Sequence, residues 1–390
     1  ASDADGAAPD ASDAAPGDGP GTPDLGPGPS CPFVAETNMA MTAQRLRLAV
    51  DPDGRVWVVA HSQPMPASSA QETFYTTGGF TPPRTVQLGL IAAGVDIVID
   101  AQRHMHMFAS EHHGSGTRLR HRRRDSYSAT WRPDINVNYV GGLHFGGGGV
   151  AARLHPDGQT MHVLSQQAVS GGAITQTDVL MRAQVDGAYP SYRYAELASR
   201  PETTCFNCDT GAVRLDILDD NSTYPSAWSV SSSNGSWRAA ISSSAQAVTA
   251  GSGVSGDPPA VYAASLEATV AYVAASGIDV ATFTAGGGNT DTINGYLGQA
   301  STSALELVRA QTGAPLLLFT TRDGTTLRFW WSAMASAAPQ QFAGSALSNG
   351  PGSSEHVMRA VTRDSNGQRL LYLVYARDSG KVGLRCLVAP

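Results

Sequence analysis

The chain has 390 residues, 42% of them hydrophobic and 15% charged, with a formal net charge of −7. That length can bury a large core, and the acidic balance excludes a general nucleic-acid binder, which needs a broad basic footprint to neutralise phosphates. Forty-two glycines and 23 prolines favour tight turns over long helices and so an all-β protein, and no run of about 18 apolar residues reads as a membrane-spanning helix.

Residues 1–30 contain only Ala, Asp, Gly, Pro, Ser, Thr and one Leu. They cannot bury enough apolar surface to offset their ordering entropy, and read as a flexible acidic tether ahead of one folded unit, 31–390. The composition resembles the tethers that follow the lipid-bearing cysteine of bacterial surface lipoproteins, which implies an exported protein, secreted or held at the outer surface. Export makes oxidised cysteine the default. Of the three pairings that Cys31, Cys205, Cys208 and Cys386 allow, the spacing suggests Cys205 with Cys208 as a small loop staple and Cys31 with Cys386. A redox role would want a strand and helix of thioredoxin type around "CFNC", and zinc would want a second close ligand pair; "RPETTCFNCDTGAVRL" offers neither.

From residue 48 the chain repeats. "LAVDPDGRVWVVAHSQ", "IVIDAQRHMHMFASEH" and "ARLHPDGQTMHVLSQQ" share the order apolar run, turn, second apolar run, at intervals of about fifty residues. "AVRLDILDDNSTYPSAWSVS" is a divergent fourth copy, and "YAASLEATVAYVAAS", "LVRAQTGAPLLLFTTRDG" and "RAVTRDSNGQRLLYLVYARDSG" complete the series. A third strand and a looser fourth follow each copy. Four antiparallel strands repeated seven times predict a seven-bladed β-propeller. The second strands, clearest in "VWVVA", "LLLF" and "LLYLVY", are apolar on both faces, as stacked blades require and a two-sheet sandwich does not. The last copy ends after its third strand, so "CPFVAETNMAM" at 31–41 is the candidate for the missing outer strand, closing the ring beside the Cys31–Cys386 bridge.

The stretch 104–125, "HMHMFASEHHGSGTRLRHRRRD", holds five of the ten histidines and five arginines. The repeat assigns it to the second and third strands of blade two with "HHGSG" as the turn. Arg118, Arg120, Arg122 and Arg124 then share one strand face, expected to be solvated, and Leu119, His121 and Arg123 share the other. His104, His106 and His162 are expected to pack between blades with a ring nitrogen bonded to backbone.

In a propeller the loops between second and third strands share a face with the connections between blades, the usual ligand mouth. This places His61 and Gln63, then Glu111, His112 and His113, then Gln166 and Gln167 on one rim, joined by Tyr139 and His144 from the blade two to three connection. These are the candidate ligand-binding residues, and His112, His113 and His144 are candidate ligands for a divalent metal.

"DAQRHMHMFASEHHGSGTRLRHRRRDSYSATW" resembles the repeat of the sialidase-like propellers, particularly the branch containing ulvan and other polysaccharide lyases, over roughly residues 45–200. The resemblance implies a loop histidine as base, at His112 or His113, with Tyr139 or Tyr224 as the acid or base and Arg118 neutralising a uronate carboxylate. The Asp-box signature of true sialidases is absent, "RDSYSATW" keeping only its end. A lectin for acidic glycans would select the same residue types, with exposed aromatics such as Tyr127 and Trp131. The expected function is binding of a polysaccharide or other cell-surface component by a monomer; the alternatives are a polysaccharide lyase acting by β-elimination and a protein-interaction scaffold.

Overall fold

The computed structural model describes residues 37–39, 41, 45–61, 67–76, 79–113, 116–133, 135–137, 149–170, 174–185, 192–201, 213–217, 226–231, 237–241, 247–250, 260–264, 267–274, 277–284, 287–294, 301–323, 326–333, 338–342, 358–365, 367–376 and 382–390. Every regular element among them is a β-strand, and every strand pair is antiparallel. No helix in the described residues is long and apolar enough to cross a membrane.

The strands group in fours. Val150–Leu154, Met161–Ser170, Ile174–Val185 and Tyr192–Pro201 make one sheet, and three further sheets follow the same order up to Gln340–Gln341. Ahead of them lies one wide sheet from Arg45–Val50 to Ile135–Asn136, because Arg84–Ile99 serves twice. Its first half pairs with Ala67–Thr76 (Glu72 opposite Arg84), and its second half pairs with Met105–His113 (Val95 opposite Ala109), with a register shift between Ala92 and Gly94. "QLGLIAAGVDIVI" has no proline or asparagine to break the strand, so two units share it. The last sheet holds Met358–Ser365, Gln368–Ala376 and Val382–Val388, and its fourth strand is Thr37–Met39, with Thr37 opposite Leu384 and Met39 opposite Val382.

The innermost strands are neighbours in sequence order: Arg45–Val50, Arg84–Ile99, Val150–Leu154, Val213–Ile217, Ala260–Ala264, Ser301–Arg309, Met358–Ser365 and back to Arg45–Val50. Together they line one central cavity of about 220 Å³. Such a radial array of antiparallel sheets is the architecture of a β-propeller.

Packing explains the doubly apolar strands. In Val56–His61, Val56, Val58 and Ala60 join a cluster with Leu316, Leu318, Leu371 and Leu373, while Trp57 and Val59 face Val95, Ile97, Met105 and Met107 of the next unit. In Met105–His113, Met105, Met107 and Ala109 look back to the first unit, and Phe108 looks forward to Val150, Met161 and Val163. These two strands are covered on both sides, so burying both periods costs no wet face.

Acidic side chains tie inner strands together around the cavity. Asp96 Oδ2 accepts from Ala152 N at 2.8 Å, Asp216 Oδ2 accepts from Ala263 N at 2.8 Å, and Glu306 Oε1 accepts from Arg359 NH1 at 2.7 Å. Each bond runs from one unit to the next, so the register between neighbouring sheets is fixed by a charged contact as well as by packing.

Candidate functional site

The cavity gives the array a direction. It is lined by 48–50, 97–99 and 152–154, the last residues of their inner strands, so the turns at Asp51, Asp100 and His155 lie at one end of the ring. The hairpins between second and third strands therefore lie at the other end. Three consecutive units carry candidate residues there. His61 closes Val56–His61 opposite Arg45. Glu111, His112 and His113 close Met105–His113 opposite Arg118, Thr117 and Gly116. Gln166 and Gln167 lie opposite Asp178 and Thr177 within Met161–Ser170. Gln63, Tyr139, His144, Tyr224, Cys31, Cys205 and Cys208 lie outside the described residues. Cys386 is disulfide-bonded.

Two expectations about this end change. His112 and His113 are strand residues rather than loop residues, because the ladder runs on to His113 and leaves only positions 114 and 115 between the strands. As successive strand positions they belong to opposite faces of the sheet; His144, the third member of the expected metal set, lies outside the described residues.

The arginine face also differs. At its described positions it is not fully solvated: Arg120 and Arg122 are half-buried, Arg122 NH1 donates to Gln87 O, and Arg124 has no exposed surface at all. Arg124 donates from NH1 and NH2 to the two carboxylate oxygens of Glu72, each at 2.8 Å. Its guanidinium lies 5.1, 4.9 and 4.5 Å from the ring centroids of Trp57, Tyr127 and Trp131. Glu72 also accepts from Trp57 Nε1 at 3.0 Å and from Arg84 Nε at 2.7 Å. Tyr127 and Trp131, expected as exposed stacking platforms for sugars, are half-buried walls of this cage; Tyr127 stacks on Phe74 at 5.1 Å.

At the turn end, the histidines bond side chains rather than backbone. Asp100 Oδ1 accepts from His104 N at 2.8 Å, shaping the turn, while Oδ2 lies 2.9 Å from His104 Nδ1 and 3.1 Å from His106 Nε2. His106 Nδ1 meets His121 Nε2 at 2.9 Å, and His121 stacks on Phe108 at 4.4 Å. His106 and His121 are fully buried. Burial raises the Asp100 carboxyl, but the bonds from His104 and His106 outweigh it and hold the group well below the usual carboxylate range. Burial pushes His106 down despite Asp100, and pushes His121 far down with help from His106 and Arg123, so both rings are neutral. One unit on, His162 stacks on His155 at 5.6 Å, its buried Nδ1 has no hydrogen-bond partner, and burial with the His155 and Arg182 charges pushes it down to about 4. Asp100 and His121 were not among the expected site residues; the signal was a carboxylate followed four and six positions later by imidazoles in "DAQRHMH".

No family model matches the chain and no curated protein matches it. Among solved structures it is similar to the polysaccharide lyase Uly1, at 10% identity over 90% of this chain and 90% of that one, TM-score 0.48. It is also similar to a lectin of Aleuria aurantia, at 12% identity over 82% of this chain and 99% of that one, TM-score 0.44. A third is a protein of unknown function from Dyadobacter fermentans, at 9% identity over 91% and 98% of the two chains, TM-score 0.45.

Proposed function

We propose that the chain is an exported, seven-bladed β-propeller, with Thr37–Met39 as the outer strand of its last blade and Cys31 bonded to Cys386 across that seam, and that it binds an acidic polysaccharide or another acidic cell-surface component. The observation that carries the binding reading is the gathering of His61, Glu111, His112, His113, Arg118 and Gln167 positions at the hairpin end of three consecutive units. Imidazole, amide and guanidinium groups in one region are donors suited to carboxylate and hydroxyl oxygens.

The experiment is a screen of the full chain against immobilised acidic and neutral polysaccharides, with salt titration and with Arg118→Ala and His112→Ala/His113→Ala variants. Retention of acidic polymers that weakens with salt and falls in the variants is the expected result. Equal retention by wild type and variants refutes the site, and release of unsaturated oligosaccharides from a uronate polymer replaces the binding reading with the lyase one.

A further inference from the structure

The turn end of the second unit holds a cluster separate from that binding surface. Asp100, His104 and His106 each offer one ligand atom, and the three atoms lie within 4.8 Å of one another. We propose that Asp100 Oδ2, His104 Nδ1 and His106 Nε2 form a three-ligand site for a divalent transition metal of Zn²⁺ type, with a fourth position open to water.

The geometry is close to that of a loaded site. For metal–ligand bonds of roughly 2.0–2.2 Å, a tetrahedron sets its ligand atoms about 3.4 Å apart. Here Asp100 Oδ2 is 2.9 Å from His104 Nδ1 and 3.1 Å from His106 Nε2, so these two separations need to open by only a few tenths of an ångström, and the two nitrogens lie within 4.8 Å of one another. The two rings stand edge-on to one another, with interplanar angle 78° and centroids 6.5 Å apart, converging on the same oxygen. One carboxylate and two neutral imidazoles give the set a single negative charge. Nitrogen-rich donors of this kind suit borderline metals rather than Ca²⁺ or Mg²⁺, which take oxygen ligands.

The surroundings hold the donors as outer partners of a metal site do. His106 Nδ1 meets His121 Nε2 at 2.9 Å in the buried interior. On loading, His106 carries its proton on Nδ1 and donates to His121 Nε2, while His121 shifts its own proton from Nε2 to Nδ1, which fixes the His106 ring with its lone pair toward the metal. Asp100 Oδ1 is occupied by the His104 backbone N–H, so Oδ2 is the oxygen turned toward the two rings. His104 is partly open to solvent, its side chain 24% exposed, and provides the entry path. Its proton moves to Nε2, and Arg123, 3.4 Å away, turns to Asp125, already its partner at 3.0 Å.

The turn itself does not require two imidazoles. In the first unit the same turn is shaped by Asp51 Oδ1 accepting from Asp53 N and Arg55 N, both at 2.8 Å, with a guanidinium as the nearby cation. In the second unit His104 stands at the position of Arg55, its N–H donating to Asp100 Oδ1, and Arg103, at the position of Gly54, pairs instead with Asp53 Oδ2 at 2.6 Å. Arg103 also has φ 68°, where Gly54, Gly158 and Gly313 occupy the left-handed region in their turns. The chain departs from its own repeat at this site.

The test is calorimetric titration of the chelator-treated full chain with Zn²⁺, with Co²⁺ absorption as a second readout. Expected are one equivalent bound, visible Co²⁺ bands of tetrahedral type, and an affinity loss of at least about tenfold in His104→Ala and Asp100→Asn, with a smaller loss in His121→Phe. His112→Ala/His113→Ala leaves binding unchanged. Should Asp100→Asn fail to fold, His104→Gln at the exposed edge gives the same readout. Absence of saturable binding at one equivalent, or full affinity in the His104 variants, overturns the proposal.

Discussion

Replacing Arg124 with methionine tests the account of the cage between the first two units. Arg124 is wholly buried and Glu72 is 1% exposed, so the substitution leaves a carboxylate in the interior without its bidentate partner. Truncating one member of a buried pair costs about 3–5 kcal/mol. Glu72 retains Arg84 Nε at 2.7 Å and Trp57 Nε1 at 3.0 Å, and methionine refills most of the space between Trp57, Tyr127 and Trp131, which argues for the lower end, about 3 kcal/mol. Glu72→Gln strands the guanidinium in the same way and should cost a similar amount. The double variant removes both charges, and its loss should fall short of the sum of the singles by at least about 2 kcal/mol. Urea unfolding of the four proteins measures this, and in a melt the single variants should lose about 4 °C. Strict additivity, or a loss below about 1 kcal/mol for Arg124→Met as for a solvated pair, refutes the reasoning.

Three further outcomes follow from the same geometry. Gly158 has φ +72° and a Cβ there would stand 2.5 Å from Ala101 Cβ of the preceding unit, so Gly158→Ala should destabilise by about 2–3 kcal/mol in urea unfolding, combining left-handed strain with a clash between turns; a neutral effect refutes the close approach. His162 titrates at about 4 in the fold against about 6.5 when unfolded. The unfolded chain binds the extra proton, so stability is complete above pH ~6.5 and falls by about 3 kcal/mol as pH drops to ~4, and His162→Leu should flatten that part of the pH–stability curve; an unchanged slope rules out the assignment. Non-reducing peptide mapping should recover Cys31 linked to Cys386, and a link from Cys31 to Cys205 or Cys208 would place the seam elsewhere.

Much of the fold is legible in the chain because its signals are local. The turn-flanked apolar runs locate the inner and second strands, and the doubly apolar "VWVVA" already demands a sheet covered on both sides, which the alternate packing of Val58 and Val59 into different clusters supplies. The strand boundaries of "HMHMFASEHHGSGTRLRHRRRD" were readable to within a few residues, but the extent of the ladder was not: Glu111 to His113 carry no turn residue, and pairing with 116–118 decides their state. Alternation assigned Arg118, Arg120, Arg122 and Arg124 to one face. Which neighbour covers that face depends on Glu72, 52 residues away in another unit, and a side chain's period carries no record of a partner that distant. The same limit applies to His104, His106 and His121. Sequence spacing sets the first two in alternate positions, and only the pairing of the third strand beside them brings His121 Nε2 to His106 and joins two buried histidines to the partly exposed His104 in one network.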